Sequence, residues 1–168
     1  MRKRWTAILV VMMGAALAAL VFWPRYLALD LARADFPAPL LCAKMRVGEE
    51  VVLAFVHSVN RRPVYDTIRV ANDHLVVVKS VFDAFGAGMP EASTDEGTLR
   101  VTEDGWLEWT INRPMPEVVV RIGWVADHTL QLKDRHIHLA DLAPPGTAVA
   151  LRPTAYSWFD LWKGRCVR

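Results

Sequence analysis

The stretch Asp66-Thr67-Ile68-Arg69-Val70-Ala71-Asn72-Asp73-His74-Leu75-Val76-Val77-Val78 decides the fold class of this chain. In its first half, Ile68 and Val70 alternate with polar residues, which is the period of a strand with one buried face. Asn72-Asp73 is a turn signal, and a second apolar run follows it directly. The stretch therefore predicts an antiparallel β-hairpin.

Short apolar or alternating segments of the same kind continue on both sides of this hairpin. Turn signals such as Glu103-Asp104-Gly105 and Pro144-Pro145-Gly146 separate them. About eight or nine short strands at such even spacing predict an all-β domain, either a sandwich or a partly open barrel of antiparallel strands. The strand segments cover residues 51–56, 66–70, 75–78, 98–101, 107–112, 118–122, 130–132, 137–139 and 147–151.

An uninterrupted apolar run, residues 5–23, precedes the β-rich part of the chain. As a helix it spans roughly 28 Å, close to the hydrocarbon thickness of a bilayer. Three cations lie before the run and only Arg25 lies close behind it, so the positive-inside rule places residues 1–4 in the cytoplasm and the β domain outside. A cleaved signal peptide is the alternative, but its small-x-small site, Ala16-Leu17-Ala18, lies inside the run. We therefore interpret the run as a transmembrane anchor.

Residues 24–39 are interpreted as a connector that leads into a β domain over residues 40–152. Tyr26-Leu27-Ala28-Leu29-Asp30-Leu31-Ala32 is expected to continue the helix for two turns. Pro37 and Pro39 are then expected to end it.

The tail, residues 153–168, is dense in aromatic residues and predicts a short helix. Trp158, Leu161 and Trp162 share one face of that helix by their spacing, and the cations Lys163, Arg165 and Arg168 follow. The tail is expected either to lie on the membrane surface or a membrane partner, or to pack onto the sandwich as a lid.

Charge and cysteine content restrict the partners and the compartment. The first 35 residues carry a net charge of +3 and the remainder carries −1, so the basic character belongs to the N-terminal part of the chain. No basic patch interleaved with aromatic residues is present in the sequence, which argues against a nucleic-acid partner. Cys42 and Cys166 are the two cysteines, and outside the cytoplasm they are able to form a disulfide. Two separate thiols are the alternative, because spacing alone does not bring the Cα atoms together.

Two short motifs contain polar and glycine residues that a core does not need. The first is His57-Ser58-Val59-Asn60-Arg61-Arg62-Pro63-Val64-Tyr65-Asp66, and the second is Phe85-Gly86-Ala87-Gly88-Met89-Pro90. Each predicts a strand that ends in a turn, and Pro63 and Pro90 are expected to bracket one continuous surface. The candidate recognition residues are His57, Ser58, Arg61, Arg62, Tyr65, Asp66, Phe85, Gly86, Gly88 and His128.

Other chemistries are weaker alternatives. A metal or small-molecule site would use His57, Asp66 and His128. A Ser-His-Asp hydrolase is disfavoured, because Ser58 adjoins His57 on a strand and no Gly-x-Ser-x-Gly elbow is present in the sequence. The neighbouring pair His136 and His138 is interpreted as the solvent face of a half-buried strand. No cofactor is expected.

Taken together, His57-Ser58-Val59, Pro63-Val64-Tyr65-Asp66 and Phe85-Gly86-Ala87-Gly88-Met89-Pro90, with His128-Thr129-Leu130, resemble a bacterial family of unknown function. Its members are small extracytoplasmic proteins that are often encoded beside TAXI-type TRAP transporters, which take up organic acids and similar solutes. The chain departs from the family pattern at Asp66, where Glu is more usual, and at Asp83, where a small hydroxyl residue is usual.

The resemblance implies a transporter neighbourhood and no mechanism. Our first hypothesis is a non-enzymatic accessory protein in the bacterial cytoplasmic (inner) membrane, with its β domain in the periplasm. Its expected partner is the membrane subunit or the solute-binding protein of a TRAP transporter. In that role the exposed pair Arg61 and Arg62 is expected to contact a carboxylate on the partner or the solute.

Overall fold

The structure is a computed structural model that describes residues 2–36, 38–164 and 166. The expected helix stop at Pro37 and the tail cations Arg165 and Arg168 lie outside the described residues. The elements in chain order are helix α1 (Arg2–Phe22), strands β1 (Tyr26–Arg33), β2 (Pro39–Lys44), β3 (Glu50–Val56), β4 (Pro63–Val70), β5 (Leu75–Phe82), β6 (Thr98–Val101), β7 (Leu107–Met115), β8 (Val118–Arg121), β9 (Thr129–Leu132) and β10 (Arg135–His138), helix α2 (Leu139–Leu142), strand β11 (Ala148–Tyr156) and helix α3 (Trp158–Trp162).

The strands form two antiparallel sheets, which confirms the predicted all-β sandwich. The first has the order β2-β1-β11-β8, and the second has the order β10-β9-β3-β4-β5-β7-β6. The main core lies between them and takes side chains from both, including Leu31 and Leu151 from the first sheet and Leu53 and Leu130 from the second. A smaller cluster around Phe82 lies under the far strands of the second sheet.

Helix α1 is long and apolar enough to cross a membrane, and none of the span Arg4–Phe22 is buried in the protein. A signal sequence near an N-terminus has the same length and composition.

The expected helical continuation over residues 26–32 is wrong, because this segment is strand β1. It pairs with β11 on one side and with β2 on the other, and so it is central to the first sheet. Leu29 and Leu31 face the main core, whereas Ala28 and Ala32 are buried on the opposite face. A strand that is buried on both faces lacks the polar alternation that identifies a half-buried strand, which is why its sequence resembled a helix.

Hydrogen bonds between the sheets define which end of the sandwich lies next to α1. Strand β1 begins four residues after α1. The Lys133 Nζ, in the turn between β9 and β10, donates to the carbonyl of Lys44, which pairs with Ala28 near the start of β1. The β9–β10 turn therefore lies at the end of the sandwich next to α1, which we call the anchor end. Because β3 runs antiparallel to β9, β3 ends at the opposite, distal end.

The tail is held at the anchor end of the sandwich. Cys42 on β2 and Cys166 form a disulfide, with Cα atoms 5.0 Å apart. The Tyr156 hydroxyl donates to the buried Asp30 carboxylate at 2.7 Å, and burial raises the pKa of that carboxyl. Leu161 of α3 packs against the buried cluster of Ala28, Cys42 and Tyr156 on the outer face of the first sheet. The tail thus covers part of that face, and its expected contact with a membrane stays a prediction.

Candidate functional site

The first motif forms the distal loop between β3 and β4, residues 57–62. The His57 N–H donates to the Arg62 carbonyl at 2.8 Å, and the Arg61 N–H donates to the His57 carbonyl at 2.9 Å. Arg61 has a φ of 55°, in the left-handed region that closes this loop. The His57 Nδ1 accepts the Val59 N–H at 3.3 Å, so in the neutral ring Nε2 carries the proton. The imidazole therefore supports the loop conformation.

Arg62 forms an ion pair within its own chain. Its guanidinium binds both carboxylate oxygens of Asp83, which follows β5, and this bond raises the pKa of Arg62. The expectation that Arg61 and Arg62 together contact an external carboxylate stays a prediction, and for Arg62 such a contact would compete with Asp83. Arg61 is exposed and forms no ion pair within residues 2–36, 38–164 and 166, so it is the cation that this loop presents to solvent.

The second motif packs against the first through Asn60. The Asn60 Nδ2 donates to the Phe85 carbonyl at 3.2 Å, while its Oδ1 accepts the Arg62 N–H at 3.1 Å. A Cβ on Gly86 would lie 2.6 Å from the Asn60 Nδ2, so a larger residue there would displace the Asn60 side chain. Gly88 has a φ of 81° and precedes the Met89 N–H, which donates to the Gly86 carbonyl at 2.9 Å. This arrangement fits a type II turn, and the turn uses the Met89 amide internally.

Tyr65 and Asp66 lie in the second sheet, near the distal start of β4. They are adjacent on β4, so their side chains point to opposite faces. The Tyr65 ring contacts the Trp106 ring with centroids 5.8 Å apart. Asp66 lies on the face of β4 that carries Val64 and Ile68, and accepts a hydrogen bond from the Ser80 hydroxyl directly opposite on β5. Burial raises the pKa of the Asp66 carboxyl, and the Ser80 bond opposes this shift. Both side chains have partners within the second sheet, and their expected part in the recognition surface stays a prediction.

His128 belongs to a third distal loop, residues 123–128. The loop joins the end of β3 where the Val56 N–H donates to the Ala126 carbonyl at 2.7 Å. The His128 ring stacks on Phe55 with centroids 5.5 Å apart and is half-buried. Burial lowers the pKa of this imidazole, although Asp127 opposes the shift. His128 is thus a packing residue of the distal end.

The histidine and carboxylate residues do not assemble a metal site. Within the described ranges, no three His, Cys, Asp or Glu side chains are grouped as a metal ion requires, so His57, Asp66 and His128 do not converge. His136 and His138 are exposed, as expected for a solvent face, and the His138 Nδ1 lies 3.3 Å from Asp127.

Each of the three distal loops carries an exposed large apolar side chain. Val59 in the first loop is 67% exposed, Phe85 in the second is 50% exposed, and Trp124 in the third is 84% exposed. Large apolar groups on braced loops are typical of the anchors of protein interfaces. We call loops 57–62, 83–90 and 123–128 together the distal surface.

Sequence reasoning missed three residues of this surface. Asn60 connects the first two loops by a hydrogen bond, and Asp83 binds the Arg62 guanidinium. Trp124 is the most exposed aromatic residue of the distal surface. The signal for Trp124 was the segment Gly123-Trp124-Val125-Ala126-Asp127, which directly precedes the candidate residue His128. Its apolar pair follows a glycine.

Comparison with known families finds one match, over residues 51–139, to a domain of unknown function, DUF1850. The matched segment contains the whole distal surface and excludes α1, both cysteines and the aromatic tail. Comparison with curated proteins finds no match, and comparison with solved structures finds none either. Because the match covers more than half of the chain, this protein belongs to the DUF1850 family.

Proposed function

We propose that this protein is a single-pass accessory protein of the bacterial cytoplasmic membrane, which docks in the periplasm onto a TAXI-type TRAP transporter through its distal surface. The docking partner is the membrane subunit or the solute-binding protein of that transporter. The role is one of recognition, without a chemical step.

The observation that carries the proposal is the exposed apolar triad Val59, Phe85 and Trp124 on the three distal loops. The first two loops are hydrogen-bonded to each other, and the third is hydrogen-bonded to the end of β3. Loops that are hydrogen-bonded to one another lose little conformational entropy on binding, so their apolar groups contribute more of their burial energy to affinity. Arg61 adds an exposed cation beside the triad, which suits a partner whose contact surface carries carboxylates.

The position of the surface also supports docking. Strand β1 has eight residues and leads from the anchor end toward the distal end, so the distal surface stands roughly 26 Å beyond the start of the sandwich. A helix able to span a membrane precedes that strand. At this height, the surface would meet the extracytoplasmic part of a membrane protein or a soluble binding protein. The motif resemblance described above supports a TRAP transporter as that partner.

Site-specific photocrosslinking in cells that express the neighbouring transporter tests the proposal. A photoreactive residue replaces Val59 in the full-length protein, and in a matched control it replaces Val47. Val47 is 59% exposed, close to the 67% of Val59, but it lies between β2 and β3 at the anchor end. We expect crosslinks to a transporter subunit from position 59 and not from position 47, with loss of the crosslink in Trp124→Ala. Equal crosslinking from both positions, or none to either subunit, would contradict the proposal.

A further inference from the structure

Three exposed tryptophans mark the anchor end of the protein, far from the distal surface. Trp23 follows α1 and is 68% exposed, while Trp158 and Trp162 in α3 are 53% and 71% exposed. Exposure of this much indole in one region is costly in water, so this region is expected to be covered.

Helix α3 is in contact with the end of α1. The Phe159 ring of α3 packs on the Phe22 ring, the last residue of α1, with centroids 4.9 Å apart. The Arg25 guanidinium donates to the Leu20 carbonyl and so lies at the same helix end. Because α1 has the length of the hydrocarbon core, its last turn marks the depth where hydrocarbon meets headgroups. Helix α3 therefore lies at that depth.

The chemistry of the surrounding residues fits a lipid interface. Indole rings concentrate at headgroup level because their apolar body and N–H group suit opposite sides of that boundary. An open groove of about 680 Å³ separates α3 from the β9–β10 turn, and its lining includes the cations Lys44, Lys133 and Arg135 and one acid, Asp134. This charge balance is complementary to phospholipid phosphates.

We propose that α3 is a membrane seat: Trp158 and Trp162 insert among the headgroups of the bilayer that α1 spans, and the seat holds the β domain upright. The Cys42–Cys166 disulfide fixes the tail to β2, so the orientation of α3 is transmitted to the sandwich. The inference uses the retained anchor of the proposed function, but it does not depend on any transporter.

The test uses full-length protein labelled with fluorotryptophan, in nanodiscs of phosphatidylcholine and phosphatidylglycerol that contain a headgroup spin-labelled lipid. Single Trp→Phe variants assign the fluorine NMR signals of Trp23, Trp124, Trp158 and Trp162. Trp124 is the matched control, because it is 84% exposed but lies at the distal end. We expect the spin label to broaden the signals of Trp23, Trp158 and Trp162 beyond detection and to leave the Trp124 signal intact.

The possible outcomes distinguish the membrane contact of α3 from the membrane anchoring by α1. If Trp23 is broadened while Trp158 and Trp162 behave like Trp124, the anchor is retained and the seat is refuted. If Trp23 is also unaffected, the membrane anchoring on which both proposals rest is refuted.

A double variant tests the orienting role. In Trp158→Ser with Trp162→Ser, the domain is expected to tilt, and the Trp124 signal then loses intensity. The matched double Trp→Phe variant is expected to preserve the Trp124 intensity. An unchanged Trp124 signal in the serine variant would refute the orienting role.

Discussion

Substitution of Gly86 by Ala probes the contact between the first two distal loops. The new Cβ would lie 2.6 Å from the Asn60 Nδ2, closer than real Cβ atoms approach a heavy atom, and 3.1 Å from the Asn60 Cγ, which is a tight contact. The Asn60 side chain must therefore rotate away and give up its bonds to the Phe85 carbonyl and the Arg62 N–H, which have lengths of 3.2 Å and 3.1 Å.

The magnitude follows from these two bonds and from the unfolded chain. Each neutral hydrogen bond contributes about 0.5–1.5 kcal/mol, with exposed bonds at the low end. Alanine at a compatible backbone position restores about 0.4–1 kcal/mol by restricting the unfolded state, and Gly86 does not have a positive φ. We expect Gly86→Ala to lower the free energy of unfolding by about 0.5 kcal/mol, or the melting temperature by about 1–2 °C.

A double-mutant cycle isolates the clash from other effects. In an Asn60→Ala background, the nearest remaining Asn60 atom is its Cβ, which lies 3.6 Å from a Cβ at position 86, an ordinary contact. Gly86→Ala should then be neutral or stabilising, so its effect on the free energy of unfolding differs between the two backgrounds and the two substitutions show a measurable coupling energy. Urea unfolding of the full-length protein in mild detergent measures all four variants. If Gly86→Ala is as stable as the wild type in both backgrounds, the packing of the two loops described above is refuted.

Three further predictions test other parts of the molecule. Because burial raises its pKa, the Asp66 carboxyl binds more protons in the folded than in the unfolded chain. The protonated carboxyl therefore favours folding below its unfolded pKa, and this contribution is lost as the pH rises through the folded pKa. Asp66→Asn should be more stable than the wild type at neutral pH. Urea midpoints measured at decreasing pH should show this difference in stability becoming smaller. Reduction of the Cys42–Cys166 bridge, which closes a sequence separation of 124 residues, should lower stability by up to about 4–5 kcal/mol, and a Cys42→Ala, Cys166→Ala variant should melt at the same temperature with or without reductant. Leu31→Ala, at a fully buried core position, should cost about 2–5 kcal/mol, whereas Leu40→Ala, at a 38% exposed position, should change the thermal midpoint little.

Alternation of apolar and polar residues predicted strands that have one wet face. In β4, Ile68 and Val70 alternate with polar residues, and the predicted hairpin with β5 is confirmed. Strand β1 was missed because both of its faces are buried, which removes the alternation. Strand β2 was missed as well, so the structure has more strands than the expected eight or nine.

The candidate site was predictable where its residues are locally determined. Gly88 signals a turn by its own backbone preference, and the turn is present. The partners of Arg62 and Asp66 were not predictable, because Asp83 and Ser80 reach them across the sheet from β5. Exposure of Trp124 was equally hidden, since a tryptophan in a sequence is more often a core residue than an anchor for a partner.

The segment that matches the family is smaller than the folding unit of this protein. Residues 51–139 include the second sheet except for the N-terminal residue of β3, but not β1, β2 or β11. The main core places Leu31 and Leu151 of the first sheet against Leu53 and Leu130 of the second. A chain cut to the matched segment would expose that apolar face, and a single sheet with one uncovered apolar face is not stable in water. The folding unit therefore extends at least from β1 to β11, and the matched segment corresponds to the part of this unit that forms the distal surface.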